Sequence, residues 1–319
     1  MVLGAPLLAG LISEFFMYLS DSAMVGRLGT EYLAAMAIAV MVAEILWIII
    51  WPLAPATQSI ASQKYGRATA IHKKDDPEYK KQIISTGDVF NNSLLLAVGA
   101  GALAVLLAGL CKPFLSLVLD DPSLIPLIDS YVHIVKWAMP VAGVFYGLYG
   151  FLAAINLTIP IMIATIGLNV LNIGFNYILI FGKFGCPALG IEGAALGTVL
   201  ASVAGTIYLV AYVLVSKDLR QYKCFSINGF NPKVLKTLIK AGTPITGQLV
   251  VVFGIYLYYE TLIANLGTVY LAATHIFLNV LGMGVYAAWS AFAIQIVVYM
   301  AILTVGFFSK KWLYVEVLA

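Results

Sequence analysis

An all-α polytopic membrane protein is predicted: a complete six-helix N-terminal lobe, then a partial second lobe related to it by a parallel internal repeat. Three observations predict this. Of the 319 residues, 62% are hydrophobic and only 10% are charged, whereas soluble domains carry about a quarter charged residues. Apolar runs of about 18 residues or more recur along the chain, each long enough to cross a bilayer as a helix. The phrase "LGTEYLAAMAI" at Leu28 also returns as "LGTVYLAATHI" at Leu266. The runs are continuous rather than alternating with period two, which argues against membrane strands.

Eight spanning segments follow in order: 3–26, 33–60, 83–111, 130–154, 160–181, 190–215, 234–264 and 271–305. Segment 1 starts almost at Met1 with no basic stretch before it, so no cleavable signal peptide is expected. Segment 2 carries Glu44. The polar stretch "KYGRATAIHKKDDPEYKK" separates it from segment 3. Segments 4, 5 and 6 are set apart by "NLTIP" and by "GKFGCPALG". A second polar stretch, "SKDLRQYKCFSINGFNPKVLKTLIK", precedes segment 7. Segment 8 reads as one long helix, interrupted only by Gly282 to Gly284. The expected division is 1–216 as the six-helix lobe, 217–240 as a cytoplasmic linker, and 241–319 as the partial lobe.

The two polar stretches hold twelve of the 18 basic residues. Loops facing the other way hold only Arg27, Lys112, Lys136 and Lys183. The positive-inside rule makes the polar stretches and the N-terminus cytoplasmic, and eight crossings keep Lys310 and Lys311 on that side too. The "NLT" at Asn156 then faces the cytoplasm and is expected to be unglycosylated.

The repeat is longer than its opening phrase. Gly4–Ile38 aligns without a gap to Gly242–Ile276, with 14 of 35 positions identical, among them Pro6/Pro244, Tyr18/Tyr256, Gly29/Gly267 and Tyr32/Tyr270. Segments 1–2 thus answer to segments 7–8. The copies start six segments apart, an even number, so both insert with one orientation. Parallel repeats of this kind are a feature of transporters.

Ionisable and polar groups inside the apolar runs are the candidates for chemistry, because a charged side chain at mid-membrane costs about 2.5–3.5 kcal/mol on insertion scales. Asp21 lies about 27 Å along segment 1, and Asn172 and Asn176 about 18 and 24 Å along segment 5. Thr198 lies about 12 Å into segment 6 from the outer side. All four sit in the outer half of the membrane, and the two asparagines, four apart, share a helix face. A carboxylate, two amide oxygens and a hydroxyl suit sodium, most directly at Asp21, Asn172 and Asn176, or a proton on Asp21. Helix-to-helix hydrogen bonding is the alternative use of the same groups. Glu14, Tyr18, Glu44, Tyr146, Tyr256 and Glu260 are candidates for lining a cavity. Trp47, Trp51, Tyr149, Tyr258 and Tyr286 extend the aromatic set, for cation–π contact or for packing. Asp88, His133 and Lys136, near segment ends, are expected at headgroups or water. Cys111, Cys186 and Cys224 lack ligand spacing and read as ordinary apolar residues.

The stretches "YLSDSAMVGRLGTEYLAAMAIA", "NLTIP" and "LNVLNIGFNYILIFGKFGCPALGIEGAALGT" resemble the multidrug and toxic compound extrusion (MATE) family, over Gly4 to roughly Ala293. The resemblance implies secondary active efflux of organic, often cationic, compounds in exchange for sodium or protons. It also implies a first-lobe cation or proton site at Asp21, Asn172, Asn176 and Thr198. Some relatives carry an acid where Asn176 stands. Glu260 matches no family position; relatives often have a glutamate near Val252 instead. The family has twelve helices in two lobes of six, so the eight segments here imply a weak or inactive pump when alone, and self-association through the incomplete lobe.

No nucleotide loop, zinc motif or nucleophile–base pair is present, so neither an enzyme nor a nucleic-acid binder is expected. The expected partners are the bilayer and a small organic substrate, with no cofactor beyond the coupling ion. Three other readings stay open: a major-facilitator protein, a lipid-linked sugar flippase of the wider superfamily, and a non-transporting membrane subunit.

Overall fold

A computed structural model describes residues 4–71, 75–119, 122–226 and 229–281. These form eleven α-helices joined by short turns: α1 (Gly4–Gly26), α2 (Thr30–Trp47), α3 (Leu53–Thr69), α4 (Pro77–Ala108), α5 (Cys111–Val118), α6 (Ile125–Val135), α7 (Ala138–Ala154), α8 (Thr158–Phe181), α9 (Ile191–Val215), α10 (Pro232–Ala264) and α11 (Thr268–Leu281). Of the described residues, those up to Ala272 pack as one unit and 273–281 belong to a second. The expected helix over 282–305, the Gly282–Gly284 break, Tyr286, Lys310 and Lys311 lie outside the described residues.

Among the described residues, five helices are long and apolar enough to span a bilayer: α2, α4, α8, α9 and α10. The pair that ends in α6 and α7, bent by 48° at Lys136–Trp137, makes a sixth. Segment 1 is helical over Gly4–Gly26, as expected, whereas segments 4 and 2 are broken, segment 4 being the bent pair ending in α6 and α7. Segment 2 is two helices, because Pro52 has no N–H to bond the carbonyl of Ile48. The chain turns through Ile48–Pro52 and restarts as α3.

The helices around the site are built inside out. On α8 the polar Asn169, Asn172 and Asn176 are buried, while Val170, Leu171 and Tyr177 are exposed. With lipid outside there is no solvent to drive apolar faces inward, so polar groups seek one another and apolar side chains face the tails. Small residues let the backbones approach. A Cβ on Gly101 would meet Pro140 Cα at 2.5 Å and one on Gly143 would meet Ala97 O at 2.9 Å, closing α4 on α7. Gly193 does the same between α9 and the end of α8.

The repeat is visible as geometry. Gly29 and Gly267, its matched glycines, have φ of 134° and 130°, and each accepts a hydrogen bond at 3.2 Å from the leucine four residues on. Only glycine takes such angles without strain. The α1–α2 and α10–α11 turns are the same turn.

The basic stretch after α9 is docked rather than free. Its residues 232–240 are already the first turns of α10, capped by Asn231, whose Oδ1 accepts from Lys233 N at 2.9 Å. Ahead of that cap, Asn92 of α4 donates to Gly229 O at 2.7 Å and accepts from Asn231 N at 2.9 Å. Phe225 stacks edge-on against Phe90 at 5.2 Å. The α4 side chain thereby fixes where α10 starts.

Candidate functional site

The four residues expected to share a depth are joined by hydrogen bonds across α1, α8 and α9. Asn176 Nδ2 uses both hydrogens, one to Asp21 Oδ1 at 2.7 Å and one to Asn172 Oδ1 at 3.0 Å. Asn172 Nδ2 donates to Thr198 Oγ1 at 3.1 Å, and Thr198 donates to Ala194 O at 3.0 Å. Asn176 is fully buried and Asp21 is 7% exposed.

Two features are left uncompensated. Asp21 has no basic partner within ion-pair distance among the described residues. Asn176 Oδ1 is buried and accepts no hydrogen bond. It lies against Gly197 of α9, where an added Cβ would fall on it. A buried acceptor without a donor costs about 1–3 kcal/mol. One anionic oxygen pair beside a free amide oxygen and a hydroxyl can hold a single positive charge, as a proton or a monovalent ion. Among the described residues no group of three acids, histidines or cysteines exists for a multivalent metal.

Sequence reasoning missed four members of this neighbourhood: Tyr131, Asn169, Ser13 and Gly197. Tyr131 of α6 is buried beside Asp21 and Thr198. Asn169 donates to Ser13 Oγ at 2.7 Å one level deeper, and Ser13 in turn to Gly10 O. Asn169, Asn172 and Asn176 stand at i, i+3 and i+7, so the spacing alone places Asn169 on the site face. Gly197 and Tyr131 carry no such signal.

Of the cavity candidates, four come together. Tyr18 donates to Glu44 Oε1 at 3.2 Å, and Glu14 lies within electrostatic reach of both and of Tyr146. Trp47 meets Tyr146 edge-on at 6.0 Å. All of these are half-buried. Tyr256 does not join them; it is 42% exposed on α10, since repeat-matched positions need not have matched neighbours. Glu260 is 1% exposed within a helix contact and does not join them either. Lys136, expected at water, is buried, with its ammonium 3.1 Å from a ring nitrogen of His133 and over the Trp137 ring. The bend between α6 and α7 folds its stem inward, while His133 stays exposed. Asp88 is half-buried near Lys64 and Lys223.

A family model described as MatE matches residues 6–72 and 80–178, more than half of the chain. The chain belongs to the MatE family. It is 27% identical over 275 residues to a probable multidrug resistance protein NorM of Agrobacterium fabrum, covering 86% of this chain and 56% of that protein. It is 34% identical over 152 residues to the multidrug resistance protein NorM of Vibrio cholerae, covering 47% of this chain and 33% of that one. This MatE chain therefore spans little more than half the length of the curated relatives it matches.

Solved structures agree on the fold. An inward-facing MATE family transporter of the MOP superfamily matches with a TM-score of 0.68 at 19% identity, covering 84% of this chain and 60% of that one. The bent form of the Vibrio cholerae MATE transporter VcmN matches with 0.66 at 24% identity, covering 85% and 57%. The protein is thus an all-helical, multi-pass membrane protein of the MATE fold.

Proposed function

We propose that the chain supplies the ion-coupling lobe of a secondary antiporter that exports small organic, often cationic, compounds in exchange for protons or sodium. The uncompensated Asp21 carboxyl, with an unpartnered Asn176 oxygen beside it, carries this reading. The relatives named above, called multidrug resistance proteins, support the exported class. The basic stretches at 64–81 and 217–240 support a topology with those loops and the N-terminus in the cytoplasm.

The geometry suggests how an ion would act. With Asp21 ionised, Asn176 presents its NH₂ to the carboxylate. A proton on Asp21 turns that oxygen into a donor, and a sodium ion there needs oxygen ligands. Either event favours turning the Asn176 oxygen towards Asp21. The turn gives up the Asn172 bond and frees the unpartnered oxygen from Gly197. Occupancy is thereby read out as a change in how α1, α8 and α9 hold together, the kind of two-state element that coupling requires.

A second reading has its own observation. Gly10, Ser13 and Asp21 are the α1 positions that meet α8. Their repeat counterparts on α10, Gln248, Val251 and Tyr259, are all exposed. An α8-like helix from another copy or chain fits there, which makes the protein a subunit completed by self-association around residues 241–319. Sodium- or proton-driven counterflow in proteoliposomes tests the first reading. Sedimentation in mild detergent tests the second, which a monodisperse monomer conferring strong drug resistance would refute.

A further inference from the structure

The last turns of α10 bury one face. Leu257, Glu260, Thr261 and Ala264 are shielded, at the i, i+3, i+4, i+7 spacing of a single helix side. Tyr258, Tyr259 and Leu262 between them are exposed. The shielded side packs on α2, with Leu257 and Ala264 in one apolar cluster with Leu33, Ala34 and Ala37. Glu260 therefore carries a carboxyl into an apolar contact. It is 1% exposed, and its Oε2 has no hydrogen-bond partner.

Among the described residues no basic side chain lies within ion-pair distance of Glu260. On α2, Glu31 is exposed at the first turn, Glu44 accepts from Tyr18, and Tyr32 is half-buried. Lys64 and Arg67 of α3, and Lys80, Lys81 and Asp88 of α4, belong to the cytoplasmic end where α10 begins. Glu260 is about 42 Å further along the helix. On α11, Tyr270 is exposed and His275 is buried with an interaction already made. The Thr261 hydroxyl is turned back to Tyr258 O at 2.8 Å. A metal cation would find one carboxyl where it needs several oxygens.

The repeat sharpens the contrast. Glu260 aligns with Ser22, and Asp21 with Tyr259. The acid of the second hairpin is displaced by one residue, a rotation of about 100° around the helix, so it meets α2 instead of an α8-like helix.

We propose that Glu260 is a proton-binding site separate from Asp21, and that α10 packs against α2 only with that proton in place. Without it, a bare anion sits among alanine and leucine, and the end of α10 has to leave α2 to reach water. A protonated carboxyl with an unmade hydrogen bond is the cheaper state there.

Infrared titration of the full chain in lipid vesicles tests this directly. A protonated-carboxyl band is expected to persist at neutral pH in the Asp21→Asn chain and to lose intensity in Asp21→Asn/Glu260→Gln. The band should shift on ¹³C labelling of glutamate in a Glu14→Gln/Glu44→Gln chain, which needs no change at Glu260 itself. Hydrogen exchange at residues 257–264, corrected for its intrinsic pH dependence, should rise roughly tenfold or more as the band titrates and stay flat in Glu260→Gln. An unchanged band in Asp21→Asn/Glu260→Gln, no glutamate-labelled band, loss of the band on adding sodium at fixed pH, or flat exchange in the unaltered chain would each overturn the proposal. None of these outcomes depends on transport or on Asp21.

Discussion

The side-chain oxygen of Asn176 rests against Gly197 at the place a Cβ would occupy. Alanine is ordinarily the better helix residue by about 1 kcal/mol. At 197 the sign reverses, because the methyl displaces an amide that ties Asp21 to Asn172. Gly197→Ala should destabilise by about 1–3 kcal/mol and weaken coupling-ion binding. Gly174→Ala, on a helix position with open space around it, should be neutral or slightly stabilising. Thermal unfolding of the two variants in detergent compares them.

Asn176→Asp adds a second carboxyl 2.7 Å from the first. Two such groups cannot both ionise cheaply, so they share a proton until higher pH. Sodium binding by this variant should require a more alkaline medium than the unaltered chain needs, and proton release should move to higher pH, measured as the pH dependence of each in vesicles.

Asn92→Ala removes both bonds that hold the linker, to Gly229 O and from Asn231 N. The cost should be about 1–3 kcal/mol for groups left unpaired. Limited proteolysis should cut within 217–231 several-fold faster, with cutting elsewhere unchanged.

Cys186 and Cys224 lie in loops on opposite sides in the proposed topology. Burial pushes the Cys224 thiol up to about 12, so its reactive thiolate is scarce at neutral pH. A membrane-impermeant maleimide added outside intact cells should label Cys186 and leave Cys224 unlabelled. Labelling of Cys224 alone would invert the topology.

How much was legible follows from the physics of each element. The Asp21, Asn172, Asn176 and Thr198 set could be found because polar residues inside long apolar runs are conspicuous and helical rise fixes their depth. The repeat fixed the Gly29 and Gly267 turns in the same way. The break at Pro52 was hidden because apolar residues flank it directly, Ile48 to Trp51 before it and Leu53 and Ala54 after it, although a backbone bond is lost there. Tyr131 was invisible because one tyrosine among eighteen has no pattern; only the α6 packing brings it to Asp21. Tyr256 and Glu260 were misplaced because sequence gives the helix and not the neighbour it faces.

The most direct measurement is coupling-ion binding by the purified full chain, followed by sodium titration and by proton uptake across pH, in the unaltered protein and in Asp21→Asn. The unaltered chain should show saturable binding of one of the two ions, and the variant should lose it while keeping its helical content. Unchanged sodium binding together with unchanged proton uptake in Asp21→Asn would show that Asp21 is not the coupling acid.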